Sequence, residues 1–193
     1  RIVRKVAQYF YPQRQTQVMN EGWATFWHHK ILNTMYDDGF LTDGVMIEWL
    51  KSHTNVVYQP KVGDRGYSGL NPYALGFAMY SDIERICRHP TDEDRQWFPD
   101  LAGSPWLPAL DHAMRNYKDE SFVGQFLSPK LMRDLRLFAI VDDDKKSEIE
   151  VAAIHDESGY RRVREALSHQ YDLGSREPNI QVWNVNLRGD RSL

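Results

Sequence analysis

The stretch Met19-Asn20-Glu21-Gly22-Trp23-Ala24-Thr25-Phe26-Trp27-His28-His29 places one acid, two of the chain's six tryptophans and an adjacent histidine pair in an otherwise apolar segment. At about 100° per helical residue, Glu21 and His28 project from nearly the same side. Ala24, Leu32 and Met35 share that side, while Val18, Met19, Trp23, Phe26, Trp27, Ile31 and Tyr36 cover most of the remaining circumference. A helix apolar nearly all round is a buried helix, so the expectation is a Glu21 inside the protein. A buried carboxylate needs a cation, a metal or several donors, or else it takes up a proton.

The pattern predicts a helix from about residue 14 to 38, with Gly39 just past its end. Gly22 costs such a helix about 1 kcal/mol against alanine, so beside two tryptophans it reads as room for another element or a ligand. Upstream, Ile2, Val3, Val6, Phe10 and Tyr11 make a first helix that Pro12 ends or bends. Downstream, Thr42 caps a helix with Val45, Met46, Trp49, Leu50 and His53 on one face. An ordered, tyrosine-interrupted Gly/Pro loop from Tyr58 to Pro72 leads into a helix opened by Asn71-Pro72. Leu75, Met79, Ile83, Ile86 and Cys87 form its core stripe, and Ser81, Asp82 and Arg85 are expected to face water.

Thr91-Asp92-Glu93-Asp94 is the acidic cap of a short turn ending at Trp97-Phe98-Pro99. Helices over 106–117 and 121–137 follow, the second interrupted at Ser128-Pro129. Near residue 137 the pattern changes: an apolar run to Val141, a polar turn, and the alternating Glu148-Ile149-Glu150-Val151 read as a β-hairpin. A helix capped by Ser158 and an alternating stretch over 181–187 complete the chain. The fold class predicted is mainly α, a helical body (1–136) with a small C-terminal α+β appendage (137–193) of β-β-α-β order.

At 193 residues, 41% hydrophobic and 26% charged, the chain can bury a core. A net charge of -3 argues against a dedicated nucleic-acid binder. Cys87 is the single cysteine, which excludes an internal disulfide and a cysteine-based metal cluster. With no apolar run of about 20 residues and no signal peptide, no membrane span is expected and the compartment predicted is the cytoplasm. The chain opens at Arg1 already in helical rhythm, without an initiator methionine, and stops at Leu193 as a turn opens. A piece of a longer protein is the expectation.

Three readings compete for Glu21 and His28: a structural acid with a satisfied core histidine, a catalytic carboxylate–imidazole pair, or a metal ligand with His28 near it. Zinc needs further donors. The histidines are His28, His29, His53, His89, His112, His155 and His169; no two lie four apart and no H-E-x-x-H occurs. His53 reads as capping or pocket-lining. Tyr58, Tyr67 and Tyr73 around the loop are packing aromatics or sources of a phenol. Lys118-Asp119-Glu120 reads as a solvated turn, Arg161, Arg162 and Arg164 as an exposed helix face, and Arg188-Gly189-Asp190 as a turn.

Asn20-Glu21-Gly22-Trp23-Ala24 resembles the N-E-G-F-A segment of aminopeptidase N-type gluzincins. That resemblance implies Glu21 as a zinc ligand, with Asn20 and His28 around it and, as a gluzincin tyrosine does, a phenol such as Tyr73 to stabilise an oxyanion. A likeness spanning nearly the whole chain is stronger. V-M-N-E-G-W-A-T-F-W-H (Val18 to His28), S-H-T-N-V-V-Y-Q-P (Ser52 to Pro60), Y-S-G-L-N-P-Y-A-L-G-F (Tyr67 to Phe77), K-D-E-S-F (Lys118 to Phe122), F-L-S-P-K (Phe126 to Lys130) and R-E-P-N-I-Q-V-W (Arg176 to Trp183) resemble the stage V sporulation protein R (SpoVR) family. Its members are longer at both ends and are named for a role in spore cortex formation. The resemblance implies a histidine pair upstream of Arg1, and so zinc in the longer protein with none tightly held by this chain alone. The function expected is a gluzincin-like metal-dependent hydrolase of peptide or cell-wall amide bonds, with catalytic candidates Tyr73 and His53 and a protein or cell-wall precursor as partner. The alternative is a non-enzymatic scaffold whose Glu21/His28 helix is a polar core.

Overall fold

The computed structural model describes residues 2–60, 64–137, 139–141, 150–152 and 156–174. Helices α1 (Ile2–Arg14), α2 (Gln17–Asp37), α3 (Asp43–Val56), α4 (Pro72–Arg88), α5 (Asp92–Trp97), α6 (Trp106–Asn116), α7 (Asp119–Phe126) and α8 (Pro129–Asp134) precede strands β1 (Ala139–Val141) and β2 (Glu150–Ala152), and α9 (Glu157–Tyr171) follows. The mainly α class is borne out. None of the described helices is long and apolar enough to cross a membrane.

Helices α2 and α4 form the central pair, and two glycines bring them together. A Cβ on Gly22 would meet the Gly76 carbonyl carbon, Cα and, at 2.9 Å, its oxygen. A Cβ on Gly76 would meet Val18 O and lie 2.6 Å from Gly22 Cα. The crossing is therefore backbone on backbone, closer than any side chain allows. The room at Gly22 is filled by another helix.

Around the crossing Val18, Met19, Phe26, Leu75, Met79, Tyr80 and Ile83 are buried together with Leu110 and Ala113 of α6, Phe122 and Val123 of α7, and Met132 of α8. Tyr80 is fully enclosed. Its ring meets Trp23 at 5.3 Å and Phe122 at 4.9 Å, and its hydroxyl reaches Met114 Sδ at 3.3 Å. Burial pushes this phenol well above its ordinary range, the nearby Asp119 adding to the effect.

Helix starts follow the sequence where a side chain can accept an orphan N–H. Thr42 accepts from Val45 N, Asn71 from Tyr73 N with Pro72 in the first turn, Thr91 completes a capping box with Asp94, and Ser128 accepts from Leu131 N. Gly39, at φ 79°, closes α2. Two local readings are corrected. Helix α1 does not end at Pro12 but runs through it to Arg14, because a proline near a helix end removes only one hydrogen bond of the last turn. Helix α9 is capped by Asp156, which accepts from Gly159 N.

Two carboxylates expected in water, Asp119 and Asp82, are core groups, and Arg85 beside them is half-buried. Asp119 is 1% exposed, and its carboxylate accepts from Val18 N and Met19 N, both at 2.9 Å. It thus caps α2 from about a hundred residues away, and no local pattern announces that. Asp82 is buried, accepting from Ser128 Oγ at 2.6 Å and from Arg85 Nε at 2.7 Å. The other arm of the Arg85 guanidinium is bidentate on buried Asp94. Period 3.6 marks Ser81, Asp82 and Arg85 as α4's outer face; α5 and the Ser128 corner cover that face instead.

The β-β-α-β appendage is not borne out. Among the described residues, sheet is confined to two three-residue strands, antiparallel with Ala139 opposite Ala152 and Val141 opposite Glu150. The stretch expected as the final strand, 181–187, and Arg188-Gly189-Asp190 lie outside the described residues. Helix α9 packs on α7, where Leu167 enters the main core and Ser168 Oγ donates to Glu120 O at 2.8 Å. Gly124 leaves the space for Ser168. Arg161 and Arg164 are not a free basic face: both guanidinium groups lie 4.9 Å from the Trp97 ring.

Candidate functional site

A cavity of about 290 Å³ opens between α2, α3 and the start of α4, lined by Ala24, Thr25, His28, Trp49, Ser52, His53, Val56 and Tyr73. Each wall has a local cause. Seven-residue spacing sets Glu21 and His28 on the same edge of α2, beside the face that packs on α4. The α3 wall is Trp49, Ser52, His53 and Val56, turned inward by burial of Met46 and Trp49 on the same helix.

Tyr73 is held in place by the loop before it. Gln59 Oε1 accepts from Asn71 N at 2.7 Å while its amide donates to Gly69 O at 3.2 Å and Pro60 O at 3.0 Å. Asn71 Nδ2 donates to Val56 O at 2.8 Å and Tyr58 O at 3.1 Å, and Asn71 Oδ1 caps α4 at Tyr73 N. These contacts clip the end of α3 to the start of α4 and fix Tyr73 at the first turn of α4. Sequence reasoning gave Asn71 its capping role and missed Gln59; both lie in the Y-Q-P and L-N-P blocks, where a glutamine between loop residues was the available signal.

The Glu21 carboxylate faces the Tyr73 phenol and, with burial adding to it, pushes the phenol above its ordinary range. Glu21 is half-buried rather than enclosed, and His28 is exposed at the cavity rim. Burial of Glu21 on an all-apolar helix is thus corrected: α2 has a full helical neighbour only along the α4 side, and Ala24 and Ile31 stay exposed. Asn20 is also exposed and bonds back to Thr16 Oγ1 at 2.9 Å, turned toward the helix start. The structure brings Tyr73, His28 and His53 to one cavity, sets Glu21 beside Tyr73, and leaves Asn20 outside it.

His29 was missed as a site residue. It stands seven after Gly22, on the face that meets α4, and that spacing was the signal. Its ring lies 4.9 Å from His53, 5.5 Å from Trp49 and 5.3 Å from Phe77. His28 meets Trp49 from the other side at 5.9 Å, and Trp49 Nε1 is buried without a hydrogen-bond partner. Burial, then the charge of Lys30, lowers the His29 pKa; burial, then His29 and His28, lowers that of His53. Both rings are neutral at pH 7, as a proton acceptor or metal ligand must be.

A depressed folded-state histidine pKa contributes stability that is present above the ordinary value near 6.5 and lost as pH falls through the lower folded value. In an NMR titration His29 and His53 are expected to titrate below pH 6.5, with thermal stability falling over the same interval. A midpoint at or above 6.5 for either ring would show that it is not desolvated.

Among the described residues, no group of three or more His, Cys, Asp or Glu side chains is placed to hold a metal ion. Glu21 is one carboxylate beside one exposed imidazole, which is short of the four-donor set that zinc takes. These residues do not make a zinc site by themselves.

The model of the family described as "SpoVR like protein" matches residues 1–176. The chain is 65% identical over all 193 residues to the "Uncharacterized protein YcgB" of Escherichia coli (strain K12), and it spans 38% of that relative's length. No solved structure matches. The glycine crossing, the Gln59–Asn71 clip and the buried Asp119 cap all fall in the sequence blocks that carry the likeness, and with the match along 1–176 they place the chain in the SpoVR-like protein family.

Proposed function

We propose that this chain carries one wall of a gluzincin-like hydrolytic centre for peptide or cell-wall amide bonds, completed in the longer protein by residues outside it. The observation that supports this reading is the Glu21 carboxylate beside Tyr73, whose side chain lines a cavity together with His28 and His53. A half-buried carboxylate beside a phenol can offer its oxygens to another partner. Neutral imidazoles and a tyrosine are groups that accept and donate protons to an amide under attack. In this reading Glu21 supplies one donor to a metal, zinc by analogy with gluzincins. Tyr73 and His53 face the substrate, and His28 sits at the entrance. The compartment is the cytoplasm, and the link to spore cortex formation and to a cell-wall precursor partner comes from the family resemblance.

The test is the metal content of the longer protein and of its Glu21→Ala variant, purified without chelators. The expected result is stoichiometric zinc in the parent and at least about a tenfold loss of affinity in the variant. Metal-free protein in both cases would leave a scaffold with a polar helix edge, a reading favoured by the lack of a three-donor group among the described residues.

A further inference from the structure

Helix α1 buries none of its residues, yet it carries a stripe made for burial. Ile2, Val3, Val6, Tyr9 and Phe10 are 80, 81, 49, 74 and 45% exposed. On a helical wheel they fall within an arc of about 120°, the width of a core-facing stripe, while Arg4, Lys5 and Gln8 lie outside it. A 13-residue helix in water is marginal even with favourable composition, and α1 has two β-branched valines, an isoleucine and Pro12. Such a helix persists when its apolar face has a partner. Two residues, Gln15 and Thr16, join it to α2, and Gln15 O accepts from Asp119 N at 2.8 Å. Its base is thus tied to the core while its stripe is bare.

We infer that the apolar face of α1 is an intramolecular docking surface, covered in the longer SpoVR-like proteins by polypeptide outside this chain. The relative that matches every residue of this chain at 65% identity is covered over only 38% of its own length, so most of its polypeptide lies elsewhere in the same molecule. A tethered partner acts at an effective concentration in the millimolar range, where a second copy must compete at its bulk concentration. Five aromatic or branched side chains ask for an apolar partner face, while Arg4 and Lys5 lie outside the stripe.

The experiment is maleimide labelling of the longer protein carrying single cysteines, with sites of modification located by mass spectrometry. Val6→Cys and Phe10→Cys probe the stripe; Arg4→Cys and Gln8→Cys probe the opposite side of the same helix. The expected result is labelling at least about tenfold slower at 6 and 10 than at 4 and 8, unchanged over a hundredfold range of protein concentration. Equal rates at all four positions would overturn the inference, because the stripe would be bare. Protection that fades on dilution would overturn it in favour of a second copy, and protection that appears only with lipid vesicles in favour of a membrane surface. Helix formation at α1 is checked by the contrast between the two sides, which an unfolded segment does not produce.

Discussion

Gly76→Ala is expected to destabilise the protein by about 3 kcal/mol or more, although alanine is the better helix former by about 1 kcal/mol. The new methyl group would meet Val18 O and lie 2.6 Å from Gly22 Cα. Both neighbours are helix backbone, so no side chain can swing away. Relief requires α2 and α4 to separate, and that opens the cluster of Met19, Leu75, Met79 and Tyr80, all within 1% of full burial. For a chain of this size the melting temperature should fall by roughly 6–12 °C, at about 2–4 °C per kcal/mol. Gly22→Ala should behave alike, since its methyl group would meet Gly76 from the other side. Gly44→Ala in α3 is the control, with nothing within 4 Å of its added methyl, and should be neutral or slightly stabilising. The comparison is thermal unfolding followed by circular dichroism. Equal stability of the Gly76 and Gly44 variants would mean that the helices do not touch through backbone. Because the same crossing positions Tyr73 over Glu21, any Gly76→Ala protein that still folds should also carry a displaced site.

Arg85→Met is the second large effect, and it carries a pH signature. The guanidinium donates from Nε to Asp82 at 2.7 Å and through both terminal nitrogens to Asp94 at 2.7 and 2.8 Å. Asp82 and Asp94 are 5% and 2% exposed. Methionine keeps the volume of the side chain and removes the charge, leaving two buried carboxylates without their cation. Breaking such a set costs about 3–5 kcal/mol. Burial alone would raise the Asp94 carboxyl, but its bonds to Arg85 and Thr91 outweigh burial and hold it down at about 2. A carboxyl lowered in the folded state contributes stability that is present above its ordinary value and lost as pH falls through the folded value. The deficit of Arg85→Met should therefore be fully developed at pH 7 and shrink between about pH 4 and pH 2, as both proteins protonate Asp94. Melting curves of the two proteins at pH 7 and pH 3 measure it. A deficit of the same size at both pH values would show that Arg85 acts by packing and not by charge.

These two effects divide along the line between local and long-range information. Periodicity and caps are local, so Thr42, Asn71-Pro72 and Thr91 could be read as helix starts, Ser128-Pro129 as a break, and Leu75, Met79, Ile83 and Ile86 as a core stripe. Gly22 could be read as a place of close approach, because a glycine in a helix is a cost that needs a reason. The seven-residue spacing of Glu21 and His28 likewise put both on one edge of α2, where the cavity opens. Burial is another matter, because it depends on which neighbour covers a face. The sequence pattern enclosed Glu21 and exposed Asp82, Arg85 and Asp119; the tertiary structure leaves Glu21 and Arg85 half-buried and encloses Asp82 and Asp119.

By itself, then, the sequence determined a mainly helical chain, the caps that start its helices, and the family to which it belongs, since these depend on residue order at short range. Only the tertiary structure decided that Gly76 is the partner of Gly22, that Asp119 caps α2 from a hundred residues away, and that the rings of His29, His53 and Trp49 meet. Each of those facts is a contact between elements distant in sequence. Hydrogen bonds and burial are settled by what lies across the gap in space, and no spacing along the chain records it.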